Sequence, residues 1–145
     1  MITIIIDNTI LEKYREYYFD IHKKARKFPI KSPIAPSLNH WMILNRIVMN
    51  SEKQKWKEFG VWLIKYYKLE NKNIDKCIIE ITYFFGTKHR HDSDNYTPKF
   101  LFDSFTKTNL LVDDDFEHVT ELRIKGSYDK TNPRTEIKIL ECQET

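Results

Sequence analysis

The chain has 145 residues, 41% of them hydrophobic and 31% charged, which is typical of one folded domain and excludes a disordered segment. No apolar run reaches the roughly 18 residues that a membrane span needs, so we expect no membrane partner. The two cysteines, Cys77 and Cys142, are too few for a disulfide framework, and this predicts a reduced, cytoplasmic protein.

The net charge of +3 conceals a strong asymmetry along the chain. Residues 11–68 contain thirteen Lys or Arg and five Asp or Glu, whereas residues 92–121 contain eight acids and two bases. A basic half of this kind either binds a polyanion, whose phosphates it neutralises, or is a solvated surface. The three glycines form no phosphate-binding loop, so we expect no nucleotide cofactor.

The first half of the chain predicts one buried strand and three helices, over residues 2–6, 9–27, 39–47 and from 51 onward. Capping-box patterns at Thr9 and Ser51 mark two of the helix starts. Three prolines within residues 28–37 predict an extended connector. The third helix carries an apolar stripe that is expected to face the core, at Trp56, Phe59, Leu63 and Tyr67.

The second half predicts a buried strand, a helix and two further strands, over residues 76–85, 99–108, 118–125 and 134–140. A polar loop follows the first of these strands, and Pro98 occupies the first helical position. The last two strands are joined by a turn at residues 129–133 and are expected to pair as antiparallel neighbours. The fold class is therefore α/β of the α+β type, with a mixed sheet and flanking helices.

Two acidic segments flank the helix that starts at Pro98. Asp92 and Asp94 are two positions apart, with Ser93 between them, so in an extended segment both side chains point to the same side. A divalent cation that prefers hard oxygen ligands would relieve their repulsion, and the acidic run at 113–115 could supply a third carboxylate. The pattern also fits an ordinary polar turn, whereas a calcium loop needs a glycine where Thr97 stands.

These motifs resemble the RusA-like Holliday-junction resolvases of bacteria and their phages. The matching positions are residues 90–99 (RHDSDNYTPK), Asp103, the acidic run 113–115, Val119 and Lys125, together with residues 36–39 (PSLN), which are similar to the family's Pro-Ser-x-Asn segment. The resemblance covers about residues 36–140. We therefore interpret the chain as one nuclease domain over residues 1–145, with an N-terminal extension at 1–35.

The resemblance implies a homodimer that cuts four-way DNA junctions in recombination, repair or phage DNA processing, with Mg²⁺, or Mn²⁺ in its place, as the cofactor. It implies that Asp92, Asp94 and one acid of the run 113–115 hold metal and are catalytic, and that Lys99 assists catalysis. Metal-assisted hydrolysis of a phosphodiester is consistent with such a set of carboxylates.

This sequence departs from the family pattern at two points. Lys99 lies one residue further from Asp94 than in the family's best-known form, and the acidic run has three members instead of two. Counting from Lys99 selects Asp114 as the third metal ligand, whereas counting from Asp94 selects Asp113. Because the helix start fixes Lys99, we prefer Asp114, with Asp113 and then Asp115 as alternatives.

Five residues are predicted to contact DNA, namely Lys99, Arg90, Asn39, Arg46 and Lys125. Asn39 also fits a helix cap, and Lys99 also fits a surface lysine paired with Asp103 four residues later. That pair could equally orient Lys99 for catalysis. His89 and His91 either bind a transition metal or are surface histidines.

Two other functions are consistent with the sequence. The same site could cut a different branched DNA, such as a flap or a fork. Alternatively, the protein could bind DNA in a regulatory role without cutting it, although the intact acidic residues argue against this.

Overall fold

A four-stranded mixed sheet and four helices make up the computed structural model, which describes residues 1–143. The elements in chain order are β1 (Ile2–Ile6), α1 (Asn8–Ile21), α2 (Leu38–Met42), α3 (Arg46–Tyr66), β2 (Cys77–Phe85), a 3₁₀ turn (Ser93–Asn95), α4 (Lys99–Lys107), β3 (Val119–Tyr128) and β4 (Arg134–Glu141). The predicted α+β class and each predicted strand are confirmed. No helix in the described residues is long and apolar enough to cross a membrane.

The strand order in the sheet is β1-β4-β2-β3. β2 pairs in parallel with β3 and antiparallel with β4, and β4 pairs antiparallel with β1. The prediction that β3 and β4 are neighbours is therefore wrong, because β2 lies between them. β2 is buried at alternate positions along most of its length and takes a central position, whereas β3 carries Glu121, Arg123 and Lys125 at alternate positions and lies at an edge.

The helix boundaries in the first half differ from the predicted ones. Asp7, not Thr9, caps α1, since its Oδ1 accepts a hydrogen bond from the backbone N–H of Ile10 at 2.9 Å. The helix ends at Ile21 instead of residue 27. The residues after Ile21 are mostly basic and have no apolar face that could pack on the core. The buried residues of α1 are Ile10, Leu11 and Tyr14, all in its first half.

The corner between α2 and α3 also forms earlier than predicted. Asn45 caps α3, accepting a hydrogen bond from the Val48 N–H at 2.9 Å, so the helix begins at Arg46 and Ser51 lies inside it. Ser37 caps α2, which places Asn39 within that helix. The interpretation of Asn39 as a helix cap is therefore wrong.

One face of the sheet packs against the helices, and alternate residues of β1, β2 and β4 are buried there: Ile4, Ile6, Ile79, Ile81, Ile137 and Ile139. The predicted stripe on α3 contributes Trp56, Phe59 and Leu63, whereas Tyr67 is half-buried and donates its hydroxyl hydrogen to the Ile5 carbonyl at 3.0 Å. The opposite face carries ion pairs, including Lys125 Nζ with Glu80 Oε1 at 2.7 Å.

α4 packs directly on α3 through a very close approach. A Cβ atom added at Gly60 of α3 would lie 2.1 Å from Ser104 Oγ and 2.6 Å from Ser104 Cβ. Only glycine therefore fits at this crossing. The contact fixes the position of α4 on the fold. It therefore also fixes where the chain enters α4 after the acidic residues 92–95 and where it leaves α4 before the acidic residues 113–115.

Candidate active site

α4 separates the two acidic segments, as the sequence predicts. It begins at Lys99, so Pro98 is the cap residue and not, as predicted, the first helical residue, and it ends at Lys107, one residue before the predicted end. Asn109 then adopts a positive φ of 56°, which turns the chain so that Leu110 and Leu111 enter the core. One acidic segment therefore precedes the amino end of α4, and the other follows its carboxyl end.

The first acidic segment, residues 92–95, is positioned by the aromatic residues on either side. The His91 ring stacks on Phe85 with centroids 3.7 Å apart, and Tyr96 contacts Tyr83 at 5.5 Å. Between them, a turn forms as the Asn95 N–H donates to the Asp92 carbonyl at 3.0 Å. The expectation of an extended segment is thus wrong, because the chain closes a 3₁₀ turn here.

Contacts of Asp92 and Asn95 tie this loop to two other predicted features. Arg90 Nε donates to Asp92 Oδ1 at 3.1 Å, and Arg90 is otherwise almost fully exposed. Asn95 Oδ1 accepts a hydrogen bond from the backbone N–H of Asn39 at 2.9 Å. The segment 36–39 is thereby held against the acidic loop, and Arg90 supplies positive charge beside an acid that would otherwise repel phosphate.

The second acidic segment forms a turn before β3. Asp115 Oδ1 accepts hydrogen bonds from the backbone N–H groups of Glu117 and His118 and pairs with the His118 ring. That pairing lowers the pKa of Asp115 and raises the pKa of His118. His118 Nε2 also lies 3.5 Å from Asp75 Oδ1, just before β2. This turn is therefore built by its own hydrogen bonds.

Asp113, Asp115 and His118 bring their ligand atoms within 4.8 Å of one another, and they form the only such group of three among residues 1–143. Carboxylate oxygens suit Mg²⁺ or Mn²⁺, and an imidazole nitrogen is better suited to Mn²⁺ than to Mg²⁺. Asp115 already shares its Oδ1 with His118, so that oxygen is partly satisfied without a metal.

Asp114 has the electrostatic environment that a cation would relieve. Partial burial raises the pKa of its carboxyl group, and the hydrogen bond and charge of Asp113 and the charge of Asp103 raise it further. Within the described residues no Lys, Arg or His nitrogen lies within 4.0 Å of its carboxylate. A divalent cation close to Asp114 would therefore stabilise its ionised carboxylate.

The two acidic segments contact β3 at different points along its length. Asp92 lines a cavity of about 100 Å³ together with Ile124, whereas the second segment joins β3 at Val119. Five residues along a strand span about 16 Å. The structure therefore does not bring Asp92, Asp94 and Asp114 into one group of ligand atoms within 4.8 Å, and their joint action stays a prediction.

Lys99 and Asp103 do not pair as expected. The Asp103 carboxylate lies 3.6 Å from Lys53 Nζ on α3, and in the described part of the chain no carboxylate lies within 4.0 Å of Lys99 Nζ. The prediction of a Lys99–Asp103 pair is wrong because the closely packed α3 supplies the cation instead. Lys99 is exposed at the start of α4.

The remaining candidate DNA-binding residues differ in whether an acidic side chain in the protein already compensates their positive charge. Lys125 forms an ion pair with Glu80 and lowers the pKa of that carboxyl group, so the charge of Lys125 is largely compensated within the sheet. Arg46 is exposed at the first position of α3 and has no carboxylate within 4.0 Å in the described chain. His89 is exposed, and His91 is held by Phe85 and by the Tyr96 hydroxyl, 3.1 Å from its Nδ1.

Two features of the second acidic segment were missed from the sequence. The Asp115–His118 pair closes a turn, and its D-x-x-H spacing before a strand is a signal that could have revealed it. Phe116, between the acids and β3, is 93% exposed. An aromatic residue inside an acidic run is unusual for a solvated loop, and this was the available signal.

A search of curated proteins found no match. The model of the family described as Endodeoxyribonuclease RusA matches residues 4–140, from β1 through β4 and including both acidic segments. Since this match covers nearly the whole chain, the protein belongs to the RusA family of endodeoxyribonucleases, enzymes that cut DNA at internal phosphodiester bonds.

Proposed function

We propose that this RusA-family protein is a magnesium-dependent endonuclease that resolves four-way DNA junctions by paired nicks, in recombination, repair or phage DNA processing. The observation that carries the proposal is the family match over residues 4–140, which spans two acidic segments on either side of α4. The acid-rich site next to exposed basic residues is consistent with an enzyme that binds a polyanion and needs a cation.

The proposed metal ligands are Asp92, Asp94 and Asp114, with Asp113 as the alternative third ligand. Mg²⁺, or Mn²⁺ in its place, would supply Lewis-acid stabilisation of the developing negative charge and a water of lowered pKa. The raised pKa of Asp114 supports its assignment, since a nearby cation would favour its ionised form. Asp115 is the weaker choice because His118 and two N–H groups already engage it.

Lys99 is proposed as the positive group that contacts the reacting phosphate. Its ammonium group is a mobile point charge, exposed at the amino end of α4 and unpaired among the described carboxylates. Arg90 and Arg46 are proposed to contact flanking phosphates, and Asn39 to position the acidic loop through its bond to Asn95. Lys125 must leave Glu80 before it can contact DNA.

A homodimer is part of the proposal. Resolution of a junction needs two matched nicks in opposing strands, and one chain carries one set of the proposed ligands. A two-fold dimer would place two identical sites at a fixed separation. Sedimentation at micromolar concentration should report about twice the 17.6 kDa chain mass. A strict monomer, both free and on DNA, would favour a single-nick activity on flaps.

Cleavage assays on three synthetic substrates test the function. A four-way junction, a fork and a linear duplex of the same sequence are incubated with the protein, with and without Mg²⁺. We expect symmetric nicks in the junction alone and only with the metal. Preferential cutting of the fork would identify a nuclease for other branched DNA, and binding without cutting would identify a regulatory protein.

The salt dependence of binding gives an independent test of the partner. Because several phosphates must be neutralised, the junction affinity should fall by orders of magnitude between about 50 and 200 mM salt. A nearly flat response would exclude nucleic acid as the main partner of the basic half.

A further inference from the structure

The corner between α2 and α3 exposes an unusual amount of apolar surface. Met42, Ile43 and Ile47 are 79–82% exposed, and Val48 beside them is 41% exposed. We call Met42, Ile43 and Ile47 the apolar tip. Isolated exposed apolar residues are common, but a contiguous group of long side chains marks a surface that contacts something.

The tip is held rigidly, so its exposure is not the result of a loose loop. Trp41, directly before it, is buried against Phe100 with ring centroids 3.9 Å apart, and its Nε1–H donates to the Pro36 carbonyl at 2.9 Å. Asn45 caps the next helix in the middle of the corner. These contacts fix the backbone and leave Ile43 and Ile47 pointing into solvent.

The charge around the tip identifies the kind of partner. Residues 21–51 contain six Lys or Arg and no Asp or Glu. Arg46 lies within the corner itself, and Lys31 and Glu52 border the same groove of about 480 Å³ as Val48. Even with Glu52 in the groove, a second copy of the chain docking here would bring two surfaces with an excess of basic residues together, which is unfavourable, whereas a nucleic acid complements them.

The tip also lies next to the proposed active site. Asn39, on α2, donates its backbone N–H to Asn95 in the turn that carries Asp94. The helix that ends in Met42 is therefore hydrogen-bonded to the first acidic segment. A DNA strand bound at Asp94 would have bases within reach of this corner.

We propose that the apolar tip inserts against unpaired or unstacked bases at the branch point of the DNA, while the surrounding basic residues bind the adjacent phosphates. This inference rests on the proposed function and adds a device that recognises branching. Inserting apolar side chains between stacked bases costs a few kcal/mol per step. The cost is lowest where base stacking is already interrupted, so the tip selects a branch over continuous duplex.

A fluorescent adenine analogue, 2-aminopurine, placed at the branch point of a four-way junction tests the proposal, because its emission rises when it is unstacked. The protein is added at saturating concentration without Mg²⁺. We expect a rise with the wild type and little rise with the double variant Ile43→Ser/Ile47→Ser. The variant should bind the junction about tenfold more weakly, while its affinity for linear duplex changes less than about twofold.

Ile21→Ser on α1 is the matched control, since Ile21 is also an exposed isoleucine and lies outside the corner. It should behave as the wild type in both measurements. Because Ile43 and Ile47 are both about four-fifths exposed, the double variant is expected to fold, which circular dichroism and thermal melting check.

Three results would overturn the inference and separate it from the proposed function. If the wild type cuts the junction and the double variant matches it in emission and affinity, the tip plays no part in recognition. If the double variant sediments at half the wild-type mass, the tip is a contact between two copies. If the wild type neither binds nor cuts any branched substrate, the proposed function itself fails.

Discussion

The two acidic segments on either side of α4 are held in place by different means. The turn after α4 is built from hydrogen bonds between Asp115, Glu117 and His118. The Asp115 carboxylate is therefore already engaged in hydrogen bonds within the protein. The loop before α4 is positioned by stacked rings at its two ends, and Asp94 makes no ion pair within the described residues.

This difference shows how a carboxylate can be positioned and still remain available. Aromatic packing at His91 and Tyr96 fixes the loop without occupying the oxygens of Asp94. In the second segment, Asp115 maintains the turn, and the neighbouring Asp114 remains without a cationic partner in the described chain. Structural and ligand roles are thus divided between adjacent residues.

The largest effect is expected from Asp94→Asn and Asp92→Asn in the first segment. Each should lower the junction-cleavage rate by more than about 100-fold because a proposed metal ligand is lost. Junction binding should survive or strengthen, since repulsion of phosphate is reduced. Single-turnover cleavage and filter binding measure both effects, with Asp20→Asn on α1 as the control. Full activity of Asp94→Asn would exclude the proposed site.

A division of roles in the second segment predicts different outcomes for its three acids. Asp114→Asn should abolish cleavage without lowering the melting temperature. Asp115→Asn should mainly destabilise the turn and lower the melting temperature, since it weakens the acceptor of several hydrogen bonds. A dead Asp113→Asn variant with an active Asp114→Asn variant would move the third ligand to Asp113.

The support common to both segments is the packing of α4 on α3. Gly60→Ala places a Cβ atom 2.1 Å from Ser104 Oγ and should destabilise the fold by about 1–3 kcal/mol, despite the better helix propensity of alanine. Gly86→Ala is the matched control, because its Cβ would meet only Pro133 at 3.5 Å. Equal urea midpoints for the two variants would contradict the close helix crossing.

The smallest effect concerns the pH dependence of stability. Arg134, and then Thr131, lower the pKa of Asp129 in the folded state, so Asp129 stabilises the fold above its unfolded pKa of about 4. That contribution is lost as the pH falls through the lower folded pKa. Asp129→Asn should therefore be less stable than the wild type at pH 7, and the difference should shrink as the pH falls below about 4, as measured by urea unfolding.

Asp114 is expected to show the opposite pH dependence of stability, because its pKa in the folded state is raised and not lowered. Its raised folded pKa means that the ionised group costs stability above its unfolded pKa, and the cost disappears as the pH falls below that value. Without divalent ions, Asp114→Asn should be slightly more stable than the wild type at neutral pH. A lower stability at pH 7 would show that Asp114 has a cationic partner in solution.

The elements that the sequence predicted well are those whose signals are local. β1, β2 and β4 were located to within a residue from short β-branched runs, and α4 was located from Pro98. The start of α3 was missed because the cap at Asn45 competes with an equally plausible one at Ser51. Local patterns do not decide between two valid caps, since tertiary packing selects one of them.

Strand order and site assembly depend on contacts that no local pattern contains. The insertion of β2 between β3 and β4 is a non-local choice, although the charged alternation of Glu121, Arg123 and Lys125 on β3 is typical of an edge strand. Likewise, the RusA-like motif identifies both acidic segments in the sequence. The distance between them depends on which residues of β3 each segment contacts, and the motif does not contain that information. The pairing of Asp103 with Lys53 depends on the packing of α4 on α3.

The position of β4 between β1 and β2 has a consequence for the time at which the fold can form. β4 is synthesised after the other three strands, yet it is the one strand within residues 1–143 that pairs with β1, through pairs such as Ile2 with Ile139. Contacts so distant in sequence slow folding. Until residues 134–141 have left the ribosome, the nascent chain carries both acidic segments on an incomplete sheet. We therefore expect the nuclease to become active only after β4 has been synthesised and released from the ribosome.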